Sequence, residues 1–142
     1  MNIEPVTQEE AERLADLRAI AMKPSLEALG RYDVNRVRNR FLDTFLISDT
    51  FKIMMNNELV GFYVLRDKRD HFYLDHLYIH PNFQNLKLGK RVLNIIIEKA
   101  RERGISIRLG ALRNSPSNRF YLKNGFLKIA EDELDIYYEY QT

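Results

Sequence analysis

The chain has 142 residues, 45% hydrophobic and 30% charged, with a formal net charge of +2. That length and balance fit one globular domain, residues 1–142, rather than a disordered or membrane-spanning chain; such a chain buries roughly 68–70% of its unfolded surface and needs no staple. With no cysteine, disulfides, thiolate metal sites and an acyl-cysteine intermediate are excluded, and no metal is expected. No apolar run is long enough to cross a bilayer, and the start MNIEPVTQEE lacks the apolar stretch of a secretory signal, so a cytoplasmic location without membrane attachment is expected.

Residues 8–22 place Ala11, Leu14, Leu17 and Ala21 at helical spacing behind Thr7, which with Glu10 spells a capping box. Pro24 is expected to end this helix. A second helix, over about 33–46, carries Val34, Val37, Phe41 and Phe45 in one stripe and starts from Asp33 as its cap. From Thr50 the period becomes that of a strand. Residues 51–55 and 59–66 flank Asn56-Asn57-Glu58 as a hairpin, because Asn tolerates the positive φ of a tight turn. Residues 71–79 form a third strand, stopped by Pro81. Residues 87–103 form a helix with Leu88, Val92, Ile95, Ile96 and Ala100 inward and Gly104 as its C-cap. A strand over 105–112, a short helix over 117–124 ended by Gly125, and two strands around FLKIA and LDIYYEY complete the chain. The order ααβββαβαββ, with room for a short extra strand at the N-terminus, predicts an α/β fold with a mixed central sheet flanked by helices. The aromatic last strand is a candidate for pairing across a homodimer.

Charge is unevenly spread. Residues 76–130 hold eleven Lys or Arg against Glu98 and Glu102, a balance of +9, while the remainder has eighteen acids against eleven bases, a balance of −7. A basic segment in an otherwise acidic chain suggests a polyanionic partner. Within it, HPNFQNLKLGKRVL (80–93) changes from turn to helix without an acid. The first turn of a helix carries about half a positive charge and unbonded N–H groups, which suits a phosphate. Gly89 lets the backbone approach a ligand, Gln84 can brace the loop through its amide, and Lys87, Lys90 and Arg91 strengthen the field.

These residues carry a resemblance. Leu77 to Val92 is similar to the acyl-CoA-binding motif of the GNAT N-acetyltransferase superfamily, in which Gln or Arg, two residues, Gly, one residue, and Gly or Ala follow a strand; here it reads Gln84-Asn85-Leu86-Lys87-Leu88-Gly89. RNSPSNRFYLKNGF (113–126) resembles the second signature through Asn114, Tyr121, Gly125 and Phe126. Lys87 stands where the first glycine is usual. A lysine at positive φ would cost about 1–2 kcal/mol, so residue 87 is expected to have ordinary helical φ, its ammonium along the loop edge.

The resemblance implies a metal-free N-acetyltransferase with acetyl-CoA as co-substrate, acting by direct attack on a primary amine of a small molecule or peptide. It puts coenzyme A on Leu77, Tyr78, Ile79, Gln84, Asn85, Leu86, Lys87, Leu88, Gly89, Lys90, Asn114 and Asn118, with the main chain of 77–79 holding pantetheine and the oxyanion. Tyr121 matches the family's general acid toward the departing thiolate. Asp75, matching an acid of polyamine acetyltransferases, and His76 are alternative bases, with water a third; alternation sends their side chains to opposite faces. Arg18, Met22, Ser25, Leu26 and Tyr32 are expected to line the acceptor pocket. The alternative is a non-catalytic acyl-CoA-binding module of the same fold. A nucleic-acid partner is not expected, because Phe120, Phe126 and the Ile-rich helix fit a core better than an exposed stacking surface.

Overall fold

Alternating patterning produces seven strands and four helices in the computed structural model, which describes residues 1–142. They are β1 (Asn2–Pro5), α1 (Ala11–Ala28), α2 (Val34–Leu42), β2 (Thr50–Met55), β3 (Glu58–Asp67), β4 (His71–Ile79), α3 (Leu88–Arg103), β5 (Ser106–Leu112), α4 (Ser117–Lys123), β6 (Leu127–Glu131) and β7 (Asp135–Tyr140). The strands make one mixed sheet in the order β1-β2-β3-β4-β5-β7-β6, flanked by helices. The expected element order is present, with the extra N-terminal strand in place as β1. The pairing of the last strand across a dimer is corrected: β7 lies between β5 and β6, so both its edges are already hydrogen-bonded. Two stretches of chain each form a compact unit: Met1–Val64 with His76–Gly89, and Leu65–Asp75 with Lys90–Thr142.

In the first unit, Thr7 N donates to the Glu10 carboxylate at 3.0 Å and Asp33 accepts from Arg36 N at 3.1 Å, so both expected caps form. Pro24 does not end α1, which runs on to Ala28. Proline removes one helical N–H donor, and α1 tolerates that one loss near its end. The stop is Gly30: at φ 67° it lets Gly30 N reach Glu27 O at 3.0 Å and Arg31 N reach Leu26 O at 2.8 Å, a left-handed closure that glycine adopts freely. Helix α2 is shorter than expected, and Val34 at its first position is 47% exposed; only Val37 and Phe41 are buried. Arg38 ties the two helices by bonding Glu12 and Asp16. Val6, Leu14, Ala15, Leu17, Phe41, Phe62 and Val64 form the core here, each large side chain worth about 1.5–3 kcal/mol on burial. Asn56 and Asn57, at φ 51° and 64°, make the two-residue turn between β2 and β3, with Met55 opposite Glu58. Gly61 sits so close to β4 that an added Cβ would lie 2.4 Å from the Tyr78 carbonyl oxygen.

In the second unit, β4 and β5 run parallel through a ladder of three residues, His71–Tyr73 against Ser106–Arg108, whereas β5 and β7 pair over six. Helix α3 buries Val92, Leu93, Ile96, Ile97 and Ala100, while Ile95, expected inward, is 37% exposed. At 3.6 residues per turn the stripe that contains both Leu93 and Ile97 leaves Ile95 on its flank.

Candidate active site

The turn between β4 and α3 begins at His80, whose ring accepts from Asn82 N at 3.1 Å, and Pro81 occupies the first position of the helical turn Pro81–Leu86, where no N–H is needed. The Gln84 side-chain amide donates to Ile79 O at 3.1 Å and so braces the loop as expected. Lys87 overturns its expectation: it has φ 58° and ψ 25°, the left-handed conformation. The 3₁₀ turn must be reversed before α3 can start at Leu88, which is fully buried; anchoring that leucine outweighs the strain at Lys87. Helical residues followed by one left-handed residue turn successive N–H groups to the same side, which makes a concave anion receptor. Gln84, Asn85, Leu86 and Lys87 are exposed, Gly89 is half-buried, and Lys90 is exposed at the first turn of α3. Leu77, Tyr78 and Ile79, at the end of β4, are half-buried.

The first unit also brings together three residues assigned separate roles from sequence. Arg18 Nε donates to Tyr78 Oη at 2.9 Å, and that oxygen lies 2.8 Å from His76 Nδ1. Arg18 Nη1 donates to Val37 O at 2.6 Å, and its guanidinium carbon is 5.6 Å from the centre of the Tyr78 ring. Arg18 and His76 are 8% and 3% exposed. Phe41 meets the His76 ring edge-on at 5.7 Å and Phe62 stands 6.4 Å from it. Arg18 is thus embedded in a bonded network. Met22, Ser25 and Leu26 are half-buried on the second half of α1, and Tyr32 follows it with the Lys23 ammonium 5.6 Å from its ring.

Asp75 belongs to the second unit, where Arg66 Nη2 lies 3.2 Å from its Oδ2 and both side chains are largely buried. This partner went unnamed at the sequence level, although β3 and β4 are joined by a short turn that sets the basic end of one beside the acid of the other. Along β4, Phe72, Leu74 and His76 are buried while Tyr73, Asp75 and Leu77 are half-buried, which is the alternation expected.

Tyr121 is 7% exposed on α4, its ring in contact with Phe126 at 5.4 Å, Phe120 at 5.2 Å and Tyr138 at 6.4 Å. Asn118, one turn earlier, uses its side-chain N–H groups on Leu112 O at 2.8 Å and Ser115 O at 3.0 Å, while its carbonyl accepts from Tyr138 Oη at 2.8 Å. Those bonds tie α4 to β5 and β7, so the amide is engaged within the protein. Asn114 is exposed with φ 69° just before α4. The helix ends at Gly125, where Phe126 N reaches Tyr121 O at 3.1 Å; this fixes the backbone of Tyr121 by the same closure seen at Gly30.

No helix is long and apolar enough to cross a membrane. The sequence pattern described as Acetyltransferase (GNAT) family matches residues 14–126. Over 79 residues the chain is 32% identical to the [Ribosomal protein bS18]-alanine N-acetyltransferase of Haemophilus influenzae, covering 55% of this chain and 54% of that protein, so it spans about half the length of the curated relative it matches. Among solved structures, the PaiA N-acetyltransferase of Thermoplasma acidophilum in complex with coenzyme A superposes with a TM-score of 0.78 at 22% identity, covering 99% of this chain and 98% of that one. The ribosomal-protein-S18-alanine N-acetyltransferase of Escherichia coli does so with a TM-score of 0.70 at 15% identity, covering 98% and 92%. Strand order, the turn before α3 and the matched pattern agree: the chain belongs to the GNAT acetyltransferase family.

Proposed function

We propose that this protein is an N-acetyltransferase that moves the acetyl group of acetyl-CoA directly onto a primary amine. The carrying observation is the turn at Lys87, which takes up the left-handed conformation that the family's glycine would supply, at the mouth of α3. In this reading the N–H groups from Gln84 to Lys90 grip the diphosphate, and the main chain of Leu77, Tyr78 and Ile79 holds pantetheine and the carbonyl oxygen of the thioester. Positive charge at a helix start favours phosphate, and preorganised N–H donors stabilise a developing oxyanion. The Lys90 ammonium adds to that field. Tyr121 protonates the departing thiolate; it is buried and held on a helix with a fixed end, as a positioned donor should be. Asn118 acts on the same step by holding α4 in place.

The acceptor is a small-molecule or peptide amine, received along α1 near Met22, Ser25, Leu26 and Tyr32. A peptide α-amine is favoured by the matched Haemophilus influenzae protein, named for acetylating an alanine of a ribosomal protein. The test is thiol release from acetyl-CoA against a panel of alkylamines, amino acids and Ala-initiated peptides. Amine-dependent release is expected, with kcat reduced about 100-fold in Tyr121→Phe, the usual size of a general-acid contribution. Release that ignores the amine, or an undiminished Tyr121→Phe enzyme, contradicts the reading.

A further inference from the structure

One hydrogen bond at the end of β4 has a polarity fixed by its chemistry. A guanidinium only donates, so Tyr78 Oη accepts from Arg18 Nε at 2.9 Å. The phenol's own proton is free to go to its other neighbour, His76 Nδ1 at 2.8 Å, in the tautomer that leaves that nitrogen unprotonated. A neutral imidazole that accepts at Nδ1 carries its hydrogen on Nε2, and in that tautomer His76 presents to Tyr78 a lone pair ready for a proton. Of the three groups, Tyr78 alone is half-buried; Arg18 and His76 are sealed in. We propose that Tyr78 and His76 together are the base of the acetyl transfer, Tyr78 Oη touching the acceptor amine and His76 standing behind it. This rests on the amine-transfer reading above.

The step is a two-proton shift. An N–H bond of the acceptor ammonium breaks as a Tyr78 O–H bond forms, and the original Tyr78 O–H bond breaks as His76 Nδ1–H forms. The freed lone pair attacks the thioester carbon, the C–S bond breaks as the thiolate takes the Tyr121 proton, and the nitrogen gives its second proton to water, from which Tyr121 is reprotonated. Arg18 is a positioning residue: its Nη1 bond to Val37 O fixes the guanidinium, and its Nε bond holds the phenol ring in place. Among the groups facing the imidazole are Tyr78 from its own strand, Arg18 beyond it from α1, the Phe41 ring from α2 and the Phe62 ring from β3. The proton is handed back through Tyr78 to water once the product leaves. Asp75 is paired with Arg66 at 3.2 Å.

The experiment compares wild type, Tyr78→Phe and His76→Gln by thiol release from acetyl-CoA, using whichever alkylamine or Ala-initiated peptide wild type accepts. Rates are taken from about pH 6 to above the pKa of the amine itself, with thermal melting as the check on folding. The expected result is a kcat about 100-fold lower in Tyr78→Phe near neutral pH, with KM for acetyl-CoA unchanged. That loss shrinks toward none as the pH passes the amine's pKa, since a free amine needs no base. His76→Gln follows the same trend with a smaller loss, and carries the test should Tyr78→Phe fail to fold. A loss that is the same at every pH marks a structural role and overturns the relay, as does no loss at all. Wild type that binds acetyl-CoA but never releases thiol to any amine removes the transferase reading, and the relay with it.

Discussion

Around the end of β4 the chain buries Arg18 and His76 with a phenol, a carbonyl and aromatic rings as neighbours. In the second unit guanidinium groups meet carboxylates instead: Arg66 with Asp75 in a largely buried pair, and, at or near the surface, Arg103 with Asp67 at 2.8 Å, Arg108 with Glu139 at 2.8 Å and Arg113 with Glu131 at 3.1 Å. Exposed pairs are worth about 0–1 kcal/mol and shield charge from charge. A buried guanidinium without a carboxylate is expensive to keep, and nothing in ordinary packing calls for it. The contrast teaches where to look for chemistry: at the buried cation whose partners are a phenol and a carbonyl.

Four substitutions break or sharpen that contrast. Arg18→Met should be the most destabilising, about 3 kcal/mol by urea denaturation, because Val37 O loses its donor in a buried setting and Tyr78 loses one of its two partners. A value near zero would mean that the buried cation is replaceable packing. Tyr63 comes next. Its hydroxyl is fully buried with no hydrogen-bond partner, and burial pushes it up to about 12. With the folded pKa above the ordinary value near 10, its contribution is fully present below about pH 10 and fades as pH rises through about 12. Alkaline denaturation should therefore remove about 3 kcal/mol across that window in the wild type and much less in Tyr63→Phe.

Lys87→Gly should raise the urea midpoint by the equivalent of about 1 kcal/mol, since glycine adopts φ 58° without a Cβ penalty. The same variant tests what the lysine is for. Weaker acetyl-CoA binding despite a firmer fold would show that its ammonium, and not the turn alone, serves the cofactor. Arg103→Ala should change stability least. Arg103 holds the Asp67 carboxyl below the usual carboxylate range; that contribution exists above the ordinary pKa of Asp and is lost as pH falls through the depressed one. Whatever small difference Arg103→Ala makes at neutral pH should vanish by about pH 3.

Much of the fold was legible because local signals agree with it. The Thr7–Glu10 box, the Asp33 cap, the Asn56-Asn57 turn and Gly125 each act over a few residues, and each is found in its expected place. Failures came where a distant contact decided. Pro24 is a local breaker, yet α1 runs through it to Gly30, whose sequence signal was present and went unused. The left-handed Lys87 follows from where Leu88 must be buried, which spacing alone does not reveal. The last strand reads as an edge until its place between β5 and β6 is known. The candidate site shows the same division: motif spacing gave Gln84 its place bracing the loop, but the bonds of Arg18 to Tyr78 and Asn118 to Tyr138 join residues far apart in the chain.

The central claim is that a thioester held beside this chain loses its acetyl group to an amine. Mass spectrometry of an Ala-initiated peptide incubated with acetyl-CoA and the protein measures that outcome on the acceptor itself. The account predicts a gain of one acetyl group on the peptide, dependent on both protein and acetyl-CoA. An unmodified peptide, together with unmodified alkylamines and amino acids, while acetyl-CoA still binds tightly, would contradict it and leave a cofactor-binding module in its place.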